Sequence, residues 1–264
     1  MERRAATNGV VYYVSPLLER LGVRHAFSTR LGGKSPPPFD SLNLGNPSGC
    51  AEQDDYGRIY ENYDLLQHAI GVGGRTRCWV HQVHGGTVVE VNGAFECGVK
   101  ADAMVTEDVT KILAVRVADC VPVLLATEDG MRVAAVHAGW RGVIASIVQI
   151  AVDRLKTRER TNVVAAIGPA ISYEAFEVGM EVIEQFHQQF GSDAPVRERD
   201  DGKGHVDLRA AITLQLLAAG LTAENIDLSD RCTFRDFGEF FSHRRERGVT
   251  GRMAALISPA GSAG

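Results

Sequence analysis

Short apolar runs rich in β-branched residues recur at Val10–Val14, Cys78–Val83, Thr87–Val91, Ile112–Val117, Val121–Ala126, Arg132–His137, Val163–Ile167 and Ala254–Ile257, and each predicts a strand. Tyr56, Ile59, Tyr60, Tyr63, Leu66 and Ile70 instead repeat at helical spacing, with Gly71 as a stop. Val143–Leu155, Met180–Phe190 and Leu208–Ala219 carry similar patterns, so helices are expected at these segments too. Several strands follow one another with only turns between them, which disfavours a regular doubly wound sheet and predicts a mixed α+β fold. Gly32 to Pro38 is the clearest loop, because its prolines forbid regular strand pairing. Pro259–Gly264 is small and polar and reads as a frayed tail.

The chain of 264 residues is long enough for a sizeable core, and one domain over residues 1–264 is expected. Apolar residues make up 45% and charged residues 23%, the balance of a globular protein. Net charge is −5, so the molecule as a whole offers no field that draws in nucleic acid or an anionic membrane; a small molecule is the expected partner and a monomer the expected state. The start Met1-Glu2-Arg3-Arg4 is followed by no long apolar run, which argues against export. Five cysteines at irregular spacings, with no CxxC pair, predict reduced thiols and a cytoplasmic location.

The chemistry concentrates between His81 and Gly142. Two apolar runs flank Glu128-Asp129-Gly130, a turn signal that predicts a β-hairpin. Centred near Asp129, the hairpin pairs residues whose numbers sum to about 257 or 258, which sets Cys120 opposite His137. A thiolate and an imidazole so placed can share a metal, or the imidazole can deprotonate the thiol. His81 and His84 are three apart, so an extended strand sends them to opposite faces. His84 precedes Gly85-Gly86, whose backbone freedom allows close approach to a ligand; it is the expected third ligand, with His81 facing substrate or acting on a proton. Two histidines and a cysteine suit zinc and leave a position for water or substrate, whereas a structural zinc site takes four ligands at paired short spacings. A lone Cys or His in an apolar strand is usually core packing; the hairpin geometry is what favours the functional reading for the pair.

His137 is followed by Ala138-Gly139-Trp140-Arg141-Gly142, a strand-to-helix turn whose amides could hold phosphate, or which simply needs glycine. Asp119 could orient a ligand or move a proton. Arg30, Arg141 and the C-terminal cluster of Arg244, Arg245, Arg247 and Arg252 have forks suited to phosphate, although such a run is usually solvated surface.

Phe27-Ser28-Thr29-Arg30-Leu31-Gly32-Gly33, Ser41-Leu42-Asn43-Leu44-Gly45, His81-Gln82-Val83-His84-Gly85, Ala101-Asp102-Ala103, Asp119-Cys120-Val121-Pro122 and Val136-His137-Ala138-Gly139-Trp140-Arg141-Gly142 together resemble the laccase-domain family, once called multicopper polyphenol oxidases. Ile167-Gly168-Pro169-Ala170-Ile171, Phe241-Ser242-His243-Arg244-Arg245 and Thr250-Gly251-Arg252-Met253 extend the resemblance over nearly the whole chain. It implies one α+β domain of layered mixed sheets flanked by helices (α/β/β/α-like), and zinc on His84, Cys120 and His137. It also implies phosphorolysis of adenosine, inosine, guanosine and methylthioadenosine, with adenosine deamination. Arg30, Asn43, Arg141 and Arg244 are the expected substrate-binding residues; Cys120, His137, Asp119 and His81 are the expected catalytic ones. The family often reads Cys-Thr-Tyr-Cys and Phe-Ser-Tyr-Arg-Arg where this chain has Cys232-Thr233-Phe234-Arg235 and Phe241-Ser242-His243-Arg244-Arg245.

The alternatives are a metal-free hydrolase with Cys120 as nucleophile and His137 as base, a copper polyphenol oxidase, and a metal-binding factor that edits peptidoglycan precursors. Eight histidines spread along the chain argue against multicopper chemistry.

Overall fold

Hydrophobic alternation on both faces of the strands dictates a layered build. The structure is a computed structural model and describes residues 1–156 and 161–261. One six-stranded sheet has the order β1 (Glu2–Ala5), β2 (Val11–Val14), β3 (Arg24–Ser28), β15 (Met253–Ser258), β7 (Lys111–Val117), β4 (Thr76–Trp79). A second has the order β14 (Ile226–Leu228), β10 (Val163–Ile167), β8 (Val121–Thr127), β9 (Val133–Ala138), β6 (Ala103–Thr106), β5 (Val88–Glu90). A small sheet joins β11 (Glu177–Gly179), β13 (Lys203–Val206) and β12 (Val196–Glu198). Both large sheets are mixed, with β4·β7, β5·β6 and β10·β14 parallel and the remaining pairs antiparallel.

The two large sheets pack face to face. Odd-numbered Leu113, Val115 and Val117 of β7 and Val133 and Ala135 of β9 share the layer between them. Even-numbered Ile112 and Ala114 face the other way, onto Ile59, Tyr63 and Leu66 of helix α2 (Tyr56–Ala69). The outer face of the second sheet packs on α4 (Ile147–Leu155), α5 (Met180–Phe190) and α6 (Leu208–Ala218). The expected α+β fold with layered mixed sheets between helices is thus the one observed. Since β8 and β9 are buried on both faces, they read as continuous apolar runs. No helix among the described residues is long and apolar enough to cross a membrane.

Several elements depart from the sequence pattern. The expected helix over Val143–Leu155 begins earlier and is broken in two, α3 (Trp140–Ile144) and α4, by Ser146 in the left-handed region at φ +56°. A further short helix, α1 (Pro16–Arg20), was not expected from periodicity. The strand expected at Cys78–Val83 ends at Trp79. β1 went unseen because its sequence, Glu-Arg-Arg-Ala, is exposed throughout. Fraying does not begin at Pro259: that residue is buried, its carbonyl accepts from Arg75, and Ala260 N–H donates to the Gly130 carbonyl. Residues 262–264 of the expected tail lie outside the described residues.

Candidate active site

The hairpin forms, with Gly130 at φ +69° in its turn, but its register is displaced. Val121 opposes Ala138 and Pro122 opposes His137, so Cys120 lies two positions before the residue facing the histidine. An offset of two preserves the face of the sheet. Cys120 and His137 therefore still meet, diagonally, at the end of the layer between the sheets.

His84 reaches them differently. Because β4 ends at Trp79, strand alternation does not govern residues 81–84, and both His81 and His84 line the same cavity. His84 sits in the left-handed region at φ +60°, a backbone conformation few non-glycine residues adopt. Asp102, fully buried at the start of β6, holds it there. Its carboxylate accepts the backbone N–H groups of Val83 (3.2 Å), His84 (2.9 Å) and Gly85 (2.7 Å). The same carboxylate accepts the His137 Nδ1–H at 2.9 Å, which leaves Nε2 as the ring nitrogen that can meet Cys120 or a metal ion. One acid thus orients both histidines.

The ligating atoms of His84, Cys120 and His137 all lie within 4.8 Å of one another, and the two imidazoles meet edge to face with centroids 4.8 Å apart. Gly139, at the N-cap of α3, is required by this packing: a Cβ there would lie 2.8 Å from the His84 ring and 3.2 Å from Cys120 Sγ. Burial by itself raises a thiol, but the neighbouring His137 charge and hydrogen bonds from His137 and His84 outweigh it and hold Cys120 below the ordinary cysteine value. Burial likewise opposes a charged His137, yet the Cys120 thiolate and the Asp102 carboxylate raise it above the ordinary histidine value. For Asp102, burial is outweighed by the His137 and backbone hydrogen bonds, which keep it ionised. Two imidazoles and a thiol poised as thiolate, braced by a carboxylate, are a donor set that fits a divalent metal ion.

The cluster opens into a cavity of about 770 Å³. Of the expected substrate residues, Arg141 and Arg244 line it, Arg141 with its guanidinium 4.2 Å from the Trp140 ring and Arg244 donating to the Glu177 carbonyl at 2.8 Å. Arg30 does not. It donates to the Asp40 carbonyl, pairs with Asp40 and Glu246, and stacks on Phe241 at 4.5 Å, because the proline-rich loop folds back over it. Asn43 is fully buried beneath the cavity wall, donating to Asp54 and accepting from the Gly45 and Arg252 amides. Asp119 borders the cavity, but its two oxygens accept from the Thr233 hydroxyl and the Arg244 amide, both at 2.7 Å. It ties down the C-terminal loop.

Sequence reasoning did not single out Asp102 as a site residue, although it stands in the quoted Ala101-Asp102-Ala103 motif. It passed over Arg77 and Arg116 and the tyrosines of α2, and noted Arg252 only within the C-terminal arginine run; all of these line the cavity. Tyr56, Tyr60 and Tyr63 were legible as a helical stripe, but not as a cavity wall.

A family model described as "Multi-copper polyphenol oxidoreductase laccase" matches residues 24–260. A Shigella flexneri protein named purine nucleoside phosphorylase YfiH is 38% identical over 236 residues, covering 89% of this chain and 93% of its own. Purine nucleoside phosphorylase YlmD of Geobacillus stearothermophilus is 35% identical over 250 residues, covering 89% and 90%. The crystal structure of YlmD from that organism superposes with a TM-score of 0.87 over 98% of this chain and 99% of the other, at 32% identity. A Bacillus licheniformis hypothetical protein YfiH superposes with a TM-score of 0.86 at 28% identity, covering 97% and 98%.

Proposed function

The chain belongs to the multi-copper polyphenol oxidoreductase laccase family, and on that premise we propose that it is a zinc-dependent purine nucleoside phosphorylase that also deaminates adenosine, with His84, Cys120 and His137 as the metal ligands. The observation that carries the reading is the His84–Cys120–His137 cluster, braced by Asp102, at one end of a cavity with aromatic and arginine walls. Relatives bearing the phosphorylase name supply the substrate class.

Zinc, rather than copper, is the proposed ion. A blue-copper site also has two histidines and a cysteine but adds a weak axial methionine. The sulfur of Met253 accepts the Phe241 amide, and Met253 is not part of the cavity wall. A zinc ion supplies Lewis acidity there. The chain's own residues do the rest. Aromatic rings of the cavity, Trp140 among them, pack against the purine. Arg141 and Arg244 contact the polar edge of the substrate, and His81 exchanges protons with it. In phosphorolysis a phosphate oxygen bonds to ribose C1′ as the glycosidic C–N bond breaks, and the departing purine takes up a proton. In deamination water adds at C6 of adenine and ammonia leaves.

Adenosine incubated with purified protein separates these activities: release of free adenine requires phosphate, while formation of inosine does not. Failure to form either product would remove the nucleoside reading. The lowered Cys120 thiol beside His137 also supports a second reading, a metal-free cysteine nucleophile. Elemental analysis decides between them, since stoichiometric zinc whose removal abolishes turnover excludes attack by a free thiolate.

A further inference from the structure

The charge of the cavity is opposite to that of the protein. The chain carries a net −5, yet Arg77, Arg116, Arg141, Arg244 and Arg252 line the cavity, and the one carboxylate among its lining residues is that of Asp119, already engaged by Thr233 and Arg244. Among the described residues, the arginines that form ion pairs lie elsewhere. Such a concave cationic surface concentrates anions.

Two of these arginines are built as a pair. Ala254 of β15 opposes Arg116 of β7, so Arg252, two residues before Ala254, lies on the same face of the sheet and diagonal to Arg116. The small side chain of Ala254 leaves the room between them. Arg116 is fixed from behind by a side-chain amide: Gln82 accepts its backbone N–H and donates to its carbonyl, both at 2.8 Å. Its guanidinium carbon lies 5.4 Å from the Trp79 ring centroid. Arg252 is held by its backbone N–H on Asn43 Oδ1 at 2.9 Å, and one guanidinium nitrogen donates to the Thr250 and Gly251 carbonyls. Gly45, whose own amide donates to the same Asn43 oxygen at 3.2 Å, packs against both: a Cβ there would lie 2.7 Å from Arg116 Cδ and 3.6 Å from Arg252 Cβ. Holding two like charges together without an acid between them is unfavourable unless an anion joins them. Burial presses against the charged form of Arg252; the nearby Cys120 and Asp119 charges favour that form and the Arg116 charge opposes it.

We infer that Arg116 and Arg252 form the inorganic-phosphate subsite of the cavity, positioned by Gln82, Asn43 and Gly45. The identity of the anion rests on the phosphorolysis reading; the anion site itself rests on the geometry. Gln82, Asn43 and Gly45 are positioning residues that act through the two arginines. This places the motif Ser41-Leu42-Asn43-Leu44-Gly45 behind the phosphate rather than against the nucleoside.

The test is binding of inorganic phosphate to the zinc-loaded full chain, followed by phosphorus NMR in the absence of nucleoside. Arg116→Gln and Arg252→Gln should each weaken binding about 10- to 100-fold, the range for loss of a hydrogen bond to a charged group. Gly45→Ala keeps every charge but displaces Arg116, and should weaken binding in the same direction. Arg20→Gln, which removes one charge from the exposed end of α1, should leave binding unchanged. Phosphate binding indifferent to Arg116 and Arg252, or lost instead in Arg141→Gln alone, overturns the subsite even if wild-type protein releases adenine. Arginine-dependent binding of adenosine 5′-monophosphate without binding of inorganic phosphate overturns it too, because the pair then reads a phosphate carried by the substrate. Arginine-dependent phosphate binding by a protein that releases no base upholds the subsite and removes the phosphorolysis reading.

Discussion

The two large sheets contribute unlike chemistry to one cavity. The β8–β9 sheet supplies two members of the candidate metal cluster, Cys120 and His137, at the end of a layer of otherwise apolar side chains. The β7–β15 sheet supplies cations, with Arg116 and Arg252 on its opposite face, toward α2. At the first site burial works with the function, because a dry environment strengthens the Asp102–His137 and Cys120–His137 interactions. At the second Arg116 and Arg252 are only partly buried, and an unpaired arginine in a dry layer would be costly. A metal ligand can be immobilised by core packing, whereas an anion-binding cation needs both a rigid base and access to water.

Cys120→Ser probes the contrast most severely. It removes the soft ligand, and stoichiometric zinc should be lost together with roughly 10³-fold or more of turnover, measured by elemental analysis and adenine release. Equal zinc content and turnover in the variant would show that the first sheet does not carry the chemistry. Asp102→Asn should have an intermediate effect. An amide cannot accept simultaneously from His137 and three backbone N–H groups, so zinc affinity should fall about 10- to 100-fold in a chelator competition while the fold persists.

The smallest expected effect lies in β3, away from both sets of residues. Buried His25 donates from Nδ1 to the Val23 carbonyl and accepts the Ser15 N–H at Nε2, so only the neutral ring fits. Burial accordingly lowers its pKa below the ordinary 6.5. The unfolded chain then takes up a proton at a pH where the folded one does not. This contribution to stability is complete above pH 6.5 and declines as pH falls through that value toward the lower folded pKa. The melting temperature of zinc-free protein should fall between pH 7 and pH 5, and His25→Asn should flatten that slope. An unchanged slope would remove the assignment.

Much of the candidate metal site was legible because its constraints are local. A hairpin turn and period-two alternation bring Cys120 and His137 to one face, and the answer survives a register shift of two residues because parity is unchanged. The reason given for His84 did not survive. Its placement depends on Asp102, 18 residues away in sequence, cradling three successive amides, which no periodicity reveals. Arg30 and Asn43 stood in the right motifs but serve as internal struts, since a side chain's residue type does not say whether it meets ligand or backbone.

Hydrophobic patterning by itself determined the α+β class, most of the core strands and the principal helices, because burial of apolar faces is enforced at intervals of two or three to four residues. Only the tertiary structure decided which polar residues converge. The cavity draws on residues 44 to 252, and their meeting is fixed by strand order, by the α2 layer and by single contacts such as Asn43 with Arg252. Such contacts contribute to the free energy only once the sheets have assembled, so they leave no periodic trace in the chain.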